Sequence, residues 1–241
     1  MVAADVKRDV QGIVLVLVGG AVLRICWDDT YLSYVKESMR PWLLASGGLL
    51  VALGLLLIAD VLRQSGRSEE SAPEHGHRHR GGSRSAWLLL VPIVAIFVIA
   101  PPSLGAYTAA RATTNVAAPA SPKAPPLPAT DPVPLLLADY AARAVWDAGL
   151  TLQGRTVQLV GFVTPDPAGG WWLTRLSLTC CAADATTVRV KAIGARDLPA
   201  NTWVRVVGRW TPGGGTASDA AIPWVQPATV TEIRKPKNPY E

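Results

Sequence analysis

The sequence predicts a membrane α-helical protein with three transmembrane helices, followed by a small all-β, OB-like barrel with one helix preceding it. Three observations predict this. Pro41–Ala59 and Ser85–Ala110 are uncharged stretches long enough to cross a bilayer. Seven prolines crowd into residues 112–134. Beyond them lie five short runs rich in Val, Leu, Thr or Trp, separated by Gly, Pro or Asp. Composition agrees: 17% of residues are charged, against roughly 25% in ordinary soluble domains. The mean hydropathy of +0.24 excludes a disordered or fibrous chain.

Residues 1–62 read as a helical hairpin in the membrane. Pro41–Ala59 is flanked by Arg40 and Asp60, and nineteen residues at 1.5 Å rise give about 28 Å, enough for the hydrocarbon core. Val10–Leu23 is shorter. It reaches spanning length if it runs to Trp27 and Arg24 snorkels to the interface. A cleaved signal peptide is the alternative for this first span; no small-x-small site follows it, and a second span arrives within twenty residues. The third span occupies residues 86–111, with its apolar centre at Trp87–Ala100. Trp27, Trp42, Trp87 and Tyr107 fall at span ends, where interfacial anchors belong.

The loops set the orientation. Residues 63–85 carry Arg63, Arg67, Arg78, Arg80 and Arg84, whereas Trp27–Arg40 carries Lys36 and Arg40 offset by Asp28, Asp29 and Glu37. The positive-inside rule places 63–85 in the cytoplasm with the N-terminus, and three spans then carry the C-terminal part to the extracytoplasmic side of the plasma membrane. Gly19-Gly20, Ser46-Gly47-Gly48 and Ala52 are small residues that permit close helix approach. No span carries an acidic, Lys or His residue near its middle, which argues against a self-sufficient ion carrier.

Residues 112–134 are expected to form an extended tether, because proline fixes φ and removes donors. In residues 135–235, Leu135–Asp147 has apolar positions at helical spacing, with Gly149 as its stop. The strand candidates are Thr156–Thr164, Trp171–Cys180, Thr187–Ile193, Thr202–Trp210 and Ile222–Ile233. Val188, Val190 and Ala192 alternate with Arg189 and Lys191, with the period of two that a strand has. Five short antiparallel strands fit a Greek-key barrel, with Gly161 and Gly208 supplying bends.

The sharpest chemical feature is TCCAAD at Thr179–Asp184. Side chains alternate along a strand, so Cys180 and Cys181 cannot both point inward unless the strand ends there. Two thiolates, with Asp184, form a candidate site for a soft metal such as Zn(II) or Cu(I). A vicinal disulfide, a reactive thiol and simple core filling compete with that reading. His75, His77 and His79 (HGHRH) hold all three histidines of the chain and form a second candidate metal site. Arg78 and Arg80 oppose a cation there, and a solvated loop is the plain alternative.

No P-loop, GxGxxG, GxSxG or HExxH motif occurs, so the chain reads as no enzyme. The charge of +5 divides evenly, with 12 basic and 10 acidic residues before Leu135. No dense basic patch results, and nucleic acid is not an expected partner. Membrane lipid is. Trp171, Trp172, Trp203 and Trp210 are expected in the core or as a platform for an apolar partner.

The segments RICWDDTYLSYVKESMRPWLLASGGLLVALG, the HGH loop, LLLVPIVAIFVIAPPSLGAYTAAR and WWLTRLSLTCCAADAT together resemble the YcgQ-like family of bacterial permease subunits, its actinobacterial branch above all. The match covers nearly the whole chain and is most specific at Arg175–Asp184 and Pro101–Tyr107. The resemblance implies an accessory subunit beside a larger multi-span permease, with Cys180, Cys181 and Asp184 as a signature motif of unstated role. It leaves the cargo open, metal or another small species. An extracytoplasmic thiol redox or metal-sensing module, and a scaffold for another envelope protein, are the alternatives.

Overall fold

The computed structural model describes residues 2–65, 103–119 and 124–241. It divides into two units, one holding Met1–Tyr31 and the chain from Glu37 to Pro102, the other Leu32–Lys36 and Ser103–Glu241.

In the first unit, α1 (Val2–Trp27) and α2 (Arg40–Ser65) pack as a hairpin. Glycines let them approach: a Cβ at Gly19 would lie 2.7 Å from the Gly47 carbonyl oxygen, and one at Gly54 would lie 2.7 Å from that of Gly12. The hairpin's own packing therefore accounts for Gly19 and Gly47, whereas Gly20 and Gly48 face open space. Arg40 closes the mouth, donating to the Cys26 carbonyl at 3.4 Å and lying 6.0 Å from the centre of the Tyr31 ring. Leu49, Leu55, Leu56 and Leu62 are exposed on α2, the reverse of a soluble core helix. Among the described residues one helix, Glu37–Arg63, is long and apolar enough to cross a membrane; Gln11–Trp27 is apolar but shorter. The expected third span lies mostly outside the described residues. Its end departs from the expectation, because the chain from Ser103 onward belongs to the second unit and Ala106–Arg111 forms a separate short helix, α3.

The second unit is built on a six-stranded mixed sheet: β1 (Val133–Pro134), β2 (Thr156–Pro165), β3 (Trp171–Ser177), β4 (Thr186–Ala192), β5 (Trp203–Thr211) and β6 (Trp224–Glu232). The order is β1-β2-β3-β4-β6-β5, and β2 also pairs with β5, so strands β2 to β6 close into a ring. The five expected strands are present, each shifted by a few residues at most. They are not all antiparallel: β4 and β6 run parallel, as do β1 and β2. β3 stops at Ser177, short of the expected Cys180. Gly208 sits at a register shift between β5 and β6, where a Cβ would meet the Gln226 carbonyl oxygen at 2.4 Å.

Helix α4 (Leu137–Trp146) precedes the ring and is followed by Gly149 at φ 73°, the left-handed conformation that glycine adopts without strain. Its Leu137, Tyr140, Ala141, Ala144 and Val145 bury against Leu159, Leu173, Val190, Val206 and other inward residues of the ring. The Tyr140 hydroxyl, inside that core, donates to the Trp224 carbonyl at 2.6 Å.

The described part of the Pro-rich stretch is no free tether. Val116 is buried in the main core, with Leu127 packed against it, and Val133 pairs in register with Val157. Trp146 Nε1 donates to the Val116 carbonyl at 3.2 Å, Arg143 to that of Pro125 at 2.8 Å and Arg155 to that of Thr130 at 3.1 Å. A proline-rich backbone keeps its carbonyls as acceptors, and the unit's arginines take them. The Arg189 position of β4 is covered too: Arg189 is buried, donates to the carbonyls of Ala109 and Ala112, and lies 4.9 Å from the centre of the Trp172 ring.

Candidate functional site

The β3–β4 connection carries the two adjacent cysteines. Leu178 is buried and anchors its start; a 3-10 turn, Ala182–Asp184, leads into β4. Between them the backbone is held from two directions.

The first is Asp184. One carboxylate oxygen accepts the N–H of Thr179 at 2.9 Å; the other accepts those of Cys180 at 2.8 Å and Cys181 at 3.3 Å. Cys181 occupies the cap position of the 3-10 turn, and its side chain and that of Asp184 form a reciprocal capping box. A short acidic side chain three residues after the cap reaches back to satisfy the donors that a turn leaves open.

The second is Leu32–Lys36, which belongs to the same unit although about 145 residues earlier in the chain. The Ala182 N–H donates to the Tyr34 carbonyl at 2.7 Å, and the Lys36 N–H donates to the Cys180 carbonyl at 3.0 Å. Val35 and Cys181 thereby form an isolated antiparallel bridge. The Tyr240 hydroxyl ties the same segment down by donating to the Ser33 carbonyl at 3.0 Å. Sequence reasoning missed this strap. Its signal is the aromatic and apolar run TYLSYV, unusual in a short polar connection.

Cys180 is exposed, Cys181 is half-buried, and neither is in a disulfide. Their sulfurs and an Asp184 carboxylate oxygen lie within 4.8 Å of one another. Two sulfurs bound to one zinc-sized ion at about 2.3 Å would lie about 3.8 Å apart at a tetrahedral angle and about 4.6 Å apart in line. The 4.8 Å limit accommodates either. The Cys180 thiol's hydrogen bond with Asp184, then the neighbouring Cys181 thiol, pushes the Cys180 pKa up to about 11. Conversely the same hydrogen bond, reinforced by the backbone N–H groups, holds the Asp184 carboxyl down at about 2. A thiol kept protonated is a slow nucleophile at neutral pH. A soft cation can displace that proton, since metal ligation and deprotonation are coupled.

His75, His77 and His79 fall outside the described residues. Cys26 is a buried free thiol of α1. Trp171 is in the core with Nε1 donating to the Arg196 carbonyl at 2.9 Å, and Trp203 packs on Phe162 with ring centres 5.5 Å apart. A depression of about 300 Å³ beside α4 contains Arg175 and Glu241, but Glu241 is spent on the helix: its carboxylate accepts the N–H groups of Leu137 at 2.9 Å and Ala138 at 3.1 Å.

Residues 148–241, which include β2 to β6 and the cysteine loop, match the family model for the DUF1980 C-terminal domain. No curated protein and no solved structure matches the chain.

Proposed function

We propose that the chain is a membrane-anchored accessory subunit of a permease complex, handling a soft metal ion as cargo at Cys180 and Cys181. The observation that carries this reading is the pair of sulfurs within 4.8 Å of each other, one on an exposed and one on a half-buried cysteine, on a loop whose backbone is fixed before any ligand arrives. The metal reading is preferred to a redox one because both sulfurs and a carboxylate oxygen of Asp184 are gathered within 4.8 Å of one another. In this reading the closed five-strand unit is a barrel of the OB type. Three spans carry it to the extracytoplasmic side, and the hairpin's apolar outer face meets lipid and a larger multi-span partner. The YcgQ-like resemblance supports the partner and the topology.

The full-length reduced protein in detergent, titrated with Zn(II) and with anaerobic Cu(I), tests the cargo. Binding of one ion per chain is expected, abolished in the Cys180→Ser/Cys181→Ser double variant; binding that survives the variant, or none at all, refutes the reading. Topology has its own test. An impermeant thiol reagent applied to intact cells should label a single cysteine introduced in 212–218 and spare one in 65–83, and the reverse pattern would overturn the orientation.

A further inference from the structure

Resting on the metal-handling reading, we infer that Asp184 is a positioning residue rather than a ligand, so the cysteine loop offers two thiolates alone and is selective for a monovalent thiophilic ion, Cu(I), over Zn(II). The inference comes from counting the donors left over. Asp184 already accepts three backbone N–H groups, from Thr179, Cys180 and Cys181, and joins a capping box with Cys181. With three of a carboxylate's about four lone-pair sites already given to backbone N–H groups, Asp184 is a poorer donor to a soft cation than either sulfur. The Cys180 carbonyl is also engaged, since it accepts the Lys36 N–H. No histidine occurs after His79, and among the described residues no other group of His, Cys, Asp or Glu is gathered as a metal site.

Two sulfurs on consecutive residues are therefore the whole donor set of this loop. Zinc takes four protein ligands in structural sites and three in catalytic ones, and thiolates with low coordination number suit Cu(I). What Asp184 and the strap contribute is order: they fix the backbone on either side of both cysteines, so the sulfurs of an exposed loop are presented without the support of a core.

The experiment is X-ray absorption at the metal edge of the full-length reduced protein in detergent, loaded anaerobically with one equivalent of Cu(I) or of Zn(II), for wild type and Asp184→Asn. The expected copper shell is two sulfurs and no oxygen, unchanged in the variant, while Cu(I) affinity falls by about 10–100-fold, as it does when a residue that orients a metal ligand is lost. Zinc is expected to wash out on desalting. An oxygen in the wild-type copper shell that disappears in Asp184→Asn, or zinc retained in a four-coordinate shell, would overturn the assignment of Asp184 while leaving the cargo reading intact. Failure of both ions to bind wild type would remove both. The wild-type shell decides the matter even if the variant folds poorly.

Discussion

Two carboxylates in the second unit do the same local job in opposite surroundings. Asp184 gathers the N–H groups of the cysteine loop at the surface; Glu241 gathers the first N–H groups of α4 beneath it, with its side chain 5% exposed. Burial raises the Glu241 pKa against the pull of those donors and of Arg175, whereas at Asp184 the hydrogen bonds win and the pKa falls. Desolvation penalises a buried charge, and water removes that penalty at the surface. The contrast teaches how each part is ordered. Around Glu241 burial in the core fixes the geometry, and around Asp184 hydrogen bonds alone do so, leaving the sulfurs open to a ligand.

The hardest blow to this contrast is Glu241→Ala. It uncaps α4 and leaves Arg175, 3.5 Å from the carboxylate and 10% exposed in its side chain, as a buried cation without its partner. Breaking one side of a buried pair costs about 3–5 kcal/mol, to be read from urea or thermal unfolding. Glu241→Gln keeps an acceptor for the helix and should cost less. A loss under about 1 kcal/mol for the alanine variant would mean that the buried carboxylate orders little.

Next in size is the reactivity of Cys180. A pKa of about 11 against the ordinary 9.0 leaves about a hundredfold less thiolate at pH 8. Alkylation followed residue by residue with mass spectrometry should be slow at Cys180 in the wild type and recover most of that factor in Asp184→Asn. Equal rates in the two proteins would show that the carboxylate does not hold the thiol proton.

The two regions also differ in how far the sequence announces them. The strands were legible because Val188, Val190 and Val206 alternate or cluster locally, although β3 ends at Ser177, three residues before the expected Cys180. Helix α4 was legible from its spacing and from Gly149. What escaped depends on pairing across the chain. Nothing local in PVP says that Val133 will pair with Val157, and nothing at Tyr34 points to Ala182. Proline-rich sequence advertises its stiffness and hides its unused carbonyls, so the buried Val116 and the arginines bound to Pro125 and Thr130 were invisible. For the same reason the cysteine loop was legible as a motif while the clamp that shapes it was not.

The strap offers a smaller test. Lys36→Pro removes the donor to the Cys180 carbonyl and should cost about 1 kcal/mol, read as about fivefold faster hydrogen exchange at the Ala182 amide, the other bond of the bridge. Unchanged exchange there would mean that Asp184 holds the loop unaided.

Acid titration separates the two carboxylates by sign, with the smallest effect of all. Glu241 has a raised folded pKa, so its contribution to stability is present below the ordinary 4.5 and is lost as pH rises through the folded value. Asp184 has a depressed one, so its contribution is present above 3.8 and is lost as pH falls toward about 2. Lowering the pH from 6 should therefore first relieve Glu241 and only below about 4 loosen the loop. Because Asp184 is bathed in water, its share is screened and local. It should register as faster amide exchange at Thr179 and Cys180 between pH 4 and 2, normalised to the intrinsic rate, while amides at the start of α4 stay protected. Loss of protection at both places together, at one pH, would mean that the loop is ordered by the core after all and that the surface clamp is incidental.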